Sequence, residues 1–427
     1  MTILVLFGSL FLFIILSVPV GISVGLSTII TVVFVSDVVD LSTVIQKVFS
    51  SLESFSIMAI PFFMFAGLIM GKGGISRRLL NFANALFGWI SGGLAMVATA
   101  ASMFFAAISG SGPATVGAIG SFMIPEMEKK KYGIRFSTGL IAAAGTIGII
   151  IPPSIPLILY GVAGEVSIGD LFIAGIFPGI FIGIILMIAS YILIKRKSKD
   201  ETIEYTDAFS FTEVLKTGWE AKWSILTPVI ILGGIYGGIF TPTEASVVAV
   251  VYGLLVGGVF YKELNWKELY ESTLETLRLM GATLYMIGLS VAFSFLLTVE
   301  RIPNTIADAI MDFSESPIVI LLLINLFLLV VGAFIDAVAS IVILTPILLP
   351  IATEIGVDPI HFGVLMVANL AIGYITPPVG VNLFVTSAVG KTNIETVIRG
   401  VVPFFFALII TLLVITFWPS LSMILLR

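Results

Sequence analysis

The sequence predicts an all-α polytopic membrane protein made of two inverted-topology repeats, with two re-entrant helical hairpins and broken helices. Three observations predict this fold class. First, 58% of the 427 residues are hydrophobic and only 11% are charged, whereas a soluble domain carries about 25% charged residues. Second, segments with glycine and proline interrupt the apolar stretches. Third, the same interruptions occur twice at one fixed separation, which indicates an internal duplication.

The composition also excludes several classes of function. A net charge of -5 leaves no basic surface for nucleic acid. The absence of cysteine excludes disulfides and thiolate metal sites. The apolar N-terminus has no Lys or Arg before its apolar run, so we interpret it as a retained first helix rather than a signal peptide. Since a spanning helix needs roughly 20 apolar residues, the chain can supply about ten to fourteen spanning or half-spanning segments.

The duplication is visible in two double-proline segments. Residues 145–164 read GTIGIIIPPSIPLILYGVAG, and residues 370–390 read LAIGYITPPVGVNLFVTSAVG. Both contain the pattern G-x-x-x-P-P, which begins at Gly148 in the first segment and at Gly373 in the second, a shift of 225 positions. The same shift superimposes further prolines and glycines on both sides without a gap. We therefore expect two structural repeats of one ancestral unit.

The expected organisation has three parts. Residues 1–199 form the first inverted repeat, with a re-entrant hairpin at about 91–125, and residues 224–427 form the second, with a hairpin at about 316–352. Residues 200–223 form a cytoplasmic linker between them.

The distribution of basic residues predicts that the two repeats have opposite orientations. Cytoplasmic loops near membrane segments hold the excess of Lys and Arg, and residues 72–78, 128–135 and 195–199 are rich in both. Shifted by 225 positions, the second of these loops becomes residues 353–360, TEIGVDPI, which has neither Lys nor Arg. The counterpart loop is therefore expected outside, an arrangement that places ligand sites at the repeat interface near mid-membrane.

The linker is expected to contain a helix that lies flat in the cytoplasmic interface. Ser210 and Glu213 fit a capping box. Apolar residues recur every four positions on one face, as expected for an interfacial helix; they are Phe211, Leu215, Trp219 and Trp223. A partner helix that covers this face is the alternative.

Each predicted hairpin turns at a short polar segment. In the first, ISGSGPATVGAIG at 108–120 allows the chain to turn and to start a new helix at Pro113. In the second, VGAFIDAVASIVILTP at 331–346 has an acid at the equivalent position. A glycine-rich helix contact is the alternative for the first tip. The predicted substrate-binding residues are Ser111, Thr115, Ser154, Asp336, Ser340 and Asn382.

The double prolines predict two sodium sites. Proline lacks a backbone donor and clashes with the carbonyl one turn earlier, so both segments must unwind. The freed carbonyl oxygens and half-helix ends can bind a bare cation. One site combines Ser109, Gly148, Ile151 and Pro153, and the other combines Gly332, Gly373, Thr376 and Val379. A proline kink satisfied by water or by a neighbouring hydroxyl is the alternative for each.

The same segments predict a site for an anion. Half-helix N-termini carry partial positive charge and free N–H groups, and these segments contain no Lys or Arg. Asp336 is the single acid within a long apolar run, which makes it a functional candidate. It can bond substrate hydroxyl, ammonium or amide groups, cap nearby N–H groups, or carry a proton. One lone acid without His, Cys or Lys at that depth argues against an intramembrane enzyme.

These motifs resemble the large membrane subunit of tripartite ATP-independent periplasmic (TRAP) transporters, over essentially the whole chain. The resemblance implies an elevator-type fold with a scaffold and a transport domain in a bacterial inner membrane, and sodium at the hairpin tips and unwound helices. It also implies a separate small four-helix membrane subunit, a periplasmic substrate-binding protein and sodium-coupled uptake of a small organic acid. Members that handle sialic acid look most similar, and C4-dicarboxylate members share the motifs. A stand-alone ion-coupled carrier or antiporter is the alternative.

Overall fold

The computed structural model describes residues 1–90, 92–197, 209–314 and 316–426, and every regular element in these ranges is a helix. The first half contains α1 (Thr2–Ile15), α2 (Val20–Phe34), α3 (Leu41–Leu52), α4 (Ala59–Lys72), α5 (Ile75–Phe87), α6 (Gly93–Ser109), α7 (Gly112–Lys129), α8 (Ile134–Ala144), a 3-10 helix (Gly145–Ile149), α9 (Ile155–Ala163) and α10 (Ile168–Lys197). The second contains α11 (Phe211–Glu220), α12 (Lys222–Tyr236), α13 (Pro242–Leu254), a π-helix (Leu255–Phe260), α14 (Trp266–Val299), α15 (Ile302–Phe313), α16 (Pro317–Phe334), α17 (Ala337–Glu354), α18 (Pro359–Gly373), α19 (Val381–Val389), α20 (Ile394–Phe417) and α21 (Ser420–Met423).

Many of these helices suit a bilayer. Among the described residues, six are long and apolar enough to cross it, and the α4–α5 pair, bent by 67°, makes a seventh if it counts as one span. Six further apolar helices are 10–17 residues long, which is short of the roughly 20 residues of a full crossing. The predicted fold class, an all-α polytopic membrane protein with helical hairpins and broken helices, is confirmed.

The helix bounds follow the shift of 225 positions that the double prolines suggested. Helix α7 shifted by 225 coincides with α17 at both ends, and α8 shifted in this way begins where α18 begins. One difference stands out, because the single 34-residue α14 takes the positions of both α3 and α4. Pro61 lies in the first turn of α4, where proline is tolerated, and its counterpart is Met286 in the middle of α14.

The two halves pack crosswise. The second arm of the first hairpin, α7, contacts α19 of the other half, and α17 of the second hairpin contacts α9. Helices α8 and α20 meet backbone to backbone, since a Cβ at Gly139 would collide with Gly400. This packing brings both hairpins and both double-proline segments into one core.

The linker begins its described part with α11. The Ser210 Oγ accepts a hydrogen bond from the Glu213 N–H at 3.3 Å, which is one of the two bonds of the predicted capping box. The side chains of Phe211, Leu215 and Trp219 are exposed on one face, which suits an interfacial helix. Trp223 lies instead in α12, where its ring stacks on that of Phe260 at 4.5 Å. Residues 200–208 of the predicted linker lie outside the described residues.

Candidate functional site

The first hairpin turns where the sequence predicted. Helix α6 ends at Ser109, and Gly110 follows with a φ of +60°, a conformation that favours glycine. The Ser111 Oγ then accepts a hydrogen bond from the Ala114 N–H at 3.4 Å and caps α7, with Pro113 in the first turn. The tip therefore directs the N-terminus of α7 toward the middle of the core.

Four predicted residues meet at this tip. The Ser109 Oγ lies 3.2 Å from the Thr115 Oγ1, which donates a hydrogen bond to the Ser111 carbonyl oxygen at 2.8 Å. Gly148 packs directly against them, since a Cβ there would lie 2.6 Å from both the Ser111 carbonyl oxygen and the Thr115 Oγ1. We call these four residues, Ser109, Ser111, Thr115 and Gly148, the first cluster.

The double-proline segment borders this cluster. The segment is unwound as predicted, but only in part: α8 passes into the 3-10 helix that includes Gly148, and the residues without regular helix run from Ile150 to Ser154. The carbonyl oxygen of Pro153 would lie 2.6 Å from a Cβ at Gly110. Ile151 packs its side chain against Gly179, which leaves only its backbone for a cation.

Ser154 has a local role in the structure. Its Oγ donates to the Ile149 carbonyl oxygen at 2.5 Å and accepts from the Leu157 N–H at 3.3 Å, which caps α9. The residue is fully buried, so no part of its hydroxyl faces open space. The predicted substrate contact of Ser154 stays a prediction, and these bonds do not favour it.

The second hairpin turns at Asp336. One carboxylate oxygen accepts from the Val338 N–H at 2.9 Å and caps α17, and the other accepts from the Tyr374 hydroxyl at 2.9 Å. This geometry matches the capping role considered for the acid. Ser340, one turn further along α17, is buried, and its hydroxyl has no hydrogen-bond partner within the described residues.

The second double-proline segment approaches the first arm of this hairpin. Helix α18 ends at Gly373, where a Cβ would lie 2.5 Å from the Gly332 carbonyl group, so the two backbones touch. The Val379 N–H donates to the Ala333 carbonyl oxygen at 3.1 Å. The Thr376 hydroxyl donates to the Ile372 carbonyl oxygen at 2.8 Å, so its remaining lone pairs are available to a cation.

Tyr374 and Asn382 connect the two tips. A Cβ at Gly112, in the first turn of α7, would lie 3.1 Å from the Tyr374 ring and 3.2 Å from the Asn382 Oδ1. The Asn382 Nδ2 donates to the Ala142 carbonyl oxygen at 3.2 Å, while its buried Oδ1 has no partner among the described residues. Sequence reasoning missed Tyr374, although an aromatic residue directly after Gly373 was the available signal.

A cavity of about 480 Å³ adjoins the first tip. Its walls come from α4, α6, α7, α9 and α14 and include Ser109 and Ser111, whereas Asp336 is not among its lining residues. This volume is within the range of about 300–1,000 Å³ typical of small-molecule sites. A larger cavity of about 860 Å³ lies elsewhere, beside Glu165 and Asp170. We take the smaller cavity and the joined tips as the candidate site, because this cavity adjoins the hairpin tip and its serine hydroxyl groups.

Solved structures support the fold. The Alcanivorax borkumensis YdaH transporter matches with a TM-score of 0.62 at 16% identity, over 89% of this chain and 89% of that one. The Neisseria gonorrhoeae protein MtrF has a TM-score of 0.58 at 15% identity, over 88% of this chain and 84% of that one.

Sequence relatives are much more similar. An isethionate TRAP transporter permease protein from Oleidesulfovibrio alaskensis is 46% identical over 98% of this chain, which spans 65% of that relative's length. A C4-dicarboxylate TRAP transporter large permease protein from Pseudomonas aeruginosa is 44% identical, over 94% of this chain and 93% of the relative. A sialic acid TRAP transporter large permease protein from Vibrio cholerae is 40% identical, over 89% of this chain and 88% of the relative. These identities do not single out sialic acid.

The family model for the DctM component of tripartite ATP-independent periplasmic transporters matches residues 7–421. Together with the apolar helices, this match identifies a multi-pass protein of the bacterial inner membrane. The chain belongs to the DctM family of TRAP transporter permeases.

Proposed function

We propose that this chain carries a small organic acid across the inner membrane in symport with sodium, by an elevator movement of its hairpin core. The acid is delivered by a periplasmic binding protein, and a separate small four-helix membrane subunit completes the transporter. The observation that carries the proposal is the junction of the tips, where Gly112 of one hairpin contacts the tyrosine that holds Asp336 of the other.

The electrostatics of this junction favour an anion. The first turns of α7 and α17 begin at the two tips, and the N–H groups of such half-helices carry partial positive charge. Residues 108–124, 145–163, 331–346 and 370–390 contain no Lys or Arg. A carboxylate or sulfonate is then stabilised by helix ends, hydroxyl groups and bound cations.

The oxygen atoms at the tips favour sodium as the coupling ion. The first cluster contains the predicted cation ligand Ser109 and two residues, Ser111 and Thr115, that the sequence assigned to the substrate and that we now assign to sodium. The hydroxyls of Ser109 and Thr115 lie beside the Ser111 carbonyl oxygen. The second predicted site supplies the Thr376 hydroxyl and carbonyl groups near the contact of Gly332 with Gly373. Freed carbonyls and half-helix ends bind sodium in folds of this kind. Two bound sodium ions offset the negative charge of the acid.

The experiment is uptake by proteoliposomes that contain this chain and the small subunit. Isethionate, succinate and sialic acid are offered with and without the purified binding protein, under an inward gradient of sodium or of potassium. We expect uptake of one class of acid that requires both sodium and the binding protein. Uptake at an equal rate in potassium would overturn the sodium proposal. Equal uptake without the binding protein would favour a stand-alone carrier or antiporter.

A further inference from the structure

The cavity beside the first tip has two chemically different ends. One end is formed by the tip itself, with Ser109 and Ser111, and the other by Lys72 of α4 and Glu275 of α14. The wall between them is apolar or glycine, and Lys72 is the only Lys or Arg among the residues that line it. An anion that leaves the tip through this cavity therefore meets one cation.

The ion pairs of Lys72 are long and partly exposed. Its Nζ lies 3.4 Å from a carboxylate oxygen of Glu271 and 3.9 Å from one of Glu275, which is one turn further along α14. The side chain of Lys72 is 30% exposed and those of the two acids about half exposed. A charge-assisted hydrogen bond has a length of about 2.7–2.9 Å, so neither acid holds the ammonium group tightly.

The neighbouring ion pairs of α5 are shorter. Glu263 lies 2.6 Å from the nearest guanidinium nitrogen of Arg77 and 2.8 Å from that of Arg78. These two short ion pairs connect α5 to the segment before α14. Lys216 and Glu213 form another long pair, at 3.7 Å, but both lie exposed on α11, whereas Lys72 lines the cavity.

We propose that Lys72 is the anion-binding residue at the mouth of this cavity, and that it binds the carboxylate or sulfonate of the transported acid between the hairpin tip and bulk water. This inference rests on the proposed function. Glu271 and Glu275 compete with the transported acid for the Lys72 ammonium group. This competition keeps the affinity of Lys72 for the transported acid low. The Lys and Arg distribution predicts that this mouth faces the cytoplasm, where weak binding favours release.

A purely structural role makes a different prediction. If the Lys72 pairs only held α4 against α14, removal of the lysine and removal of an acid would break the same contact and would change transport in the same direction. If Lys72 binds the acid, the two changes act in opposite directions, because loss of Glu275 removes a competitor.

The test is equilibrium binding to inside-out membrane vesicles that carry the complete transporter, so that the cytoplasmic face is outward. The probe is labelled isethionate, succinate or N-acetylneuraminate, whichever the wild type takes up fastest, at constant sodium. We expect Lys72→Gln to raise the half-saturating concentration about tenfold, the effect of one charged hydrogen bond, and Lys72→Arg to raise it less. We expect Glu275→Gln to lower it. Added choline chloride should reduce both effects, because salt screens exposed charges.

The control is Lys129→Gln, which removes an exposed lysine paired with Glu126 at the far end of α7. It should leave the half-saturating concentration unchanged, and all variants should keep the melting temperature of the wild-type complex. Shifts of Lys72→Gln and Glu275→Gln in the same direction, or no shift in either, would overturn the role of Lys72 while wild-type uptake still supports the proposed function. A wild type that takes up none of the three acids would overturn both.

Discussion

Replacement of Gly148 by alanine tests whether the first cluster must keep its geometry. The new Cβ would lie 2.6 Å from the Ser111 carbonyl oxygen and from the Thr115 Oγ1, whereas ordinary contacts begin at 3.4 Å. The two oxygens must therefore move away from the new Cβ by 0.8 Å, the difference between the two distances. Both belong to the proposed sodium site, so the substitution displaces cation ligands without removing a polar group.

The size of the effect follows from this displacement. A misplacement of about 1 Å in a binding site can cost about 100-fold in rate, so we expect Gly148→Ala to lower sodium-driven uptake by about 10- to 100-fold. The half-saturating sodium concentration should rise as well. Overpacking of this kind costs about 1–3 kcal/mol of stability, so the amount of inserted protein must be measured as well.

The assay is a sodium titration of initial uptake rates in proteoliposomes, with the amount of inserted protein measured in parallel. Gly281→Ala on α14 is the matched control, because no heavy atom lies within 4 Å of the added Cβ. Gly373→Ala tests the second half, where the Cβ would lie 2.5 Å from the Gly332 carbonyl group. A sodium dependence of Gly148→Ala within twofold of that of Gly281→Ala would refute the assignment of the cation to this tip.

The remaining predictions concern buried polar groups. Asp336→Ala should abolish uptake while the protein still inserts, and unchanged uptake would remove the functional assignment of this acid. Tyr374→Phe deletes the 2.9 Å bond to Asp336 but keeps the ring, so uptake should fall about tenfold, as for one hydrogen bond to a charged group; uptake equal to wild type would contradict this. Asn325→Leu removes bonds of 2.9 Å to Thr416 and 2.8 Å to Asn369, and should lower stability by about 1–3 kcal/mol, seen as a lower melting temperature with the sodium dependence unchanged.

The breaks in the helices could be predicted from sequence because their causes are local. Gly110 provides the positive φ at the first tip and Pro113 the first turn of α7, and both can be read from the chain itself. The double prolines likewise predicted where α8 and α18 end, to within a few residues.

Contacts between segments could not be predicted in this way. The bond of Tyr374 to Asp336 joins residues 38 positions apart, and no local pattern specifies it. His361, in the first turn of α18, shows the same limit. The structure buries it to 2% exposure, with its Nδ1 3.2 Å from the Ser422 hydroxyl. The helix that covers it, α21, lies 61 positions further along the chain. The sequence around the start of α18 does not indicate this distant contact.

Each half packs a hairpin helix against a helix of the other half: α7 contacts α19, and α17 contacts α9. This crossed packing bears on how the proposed binding of ion and acid would be coupled. Helices α7 and α17 each begin at a hairpin tip, so under the proposed function a shift of one tip on ligand binding would change the free energy of binding at the other. Linkage makes that influence mutual. Under the proposed function, a sodium ion bound at one tip would increase the affinity of the other tip for the acid through this direct helix contact.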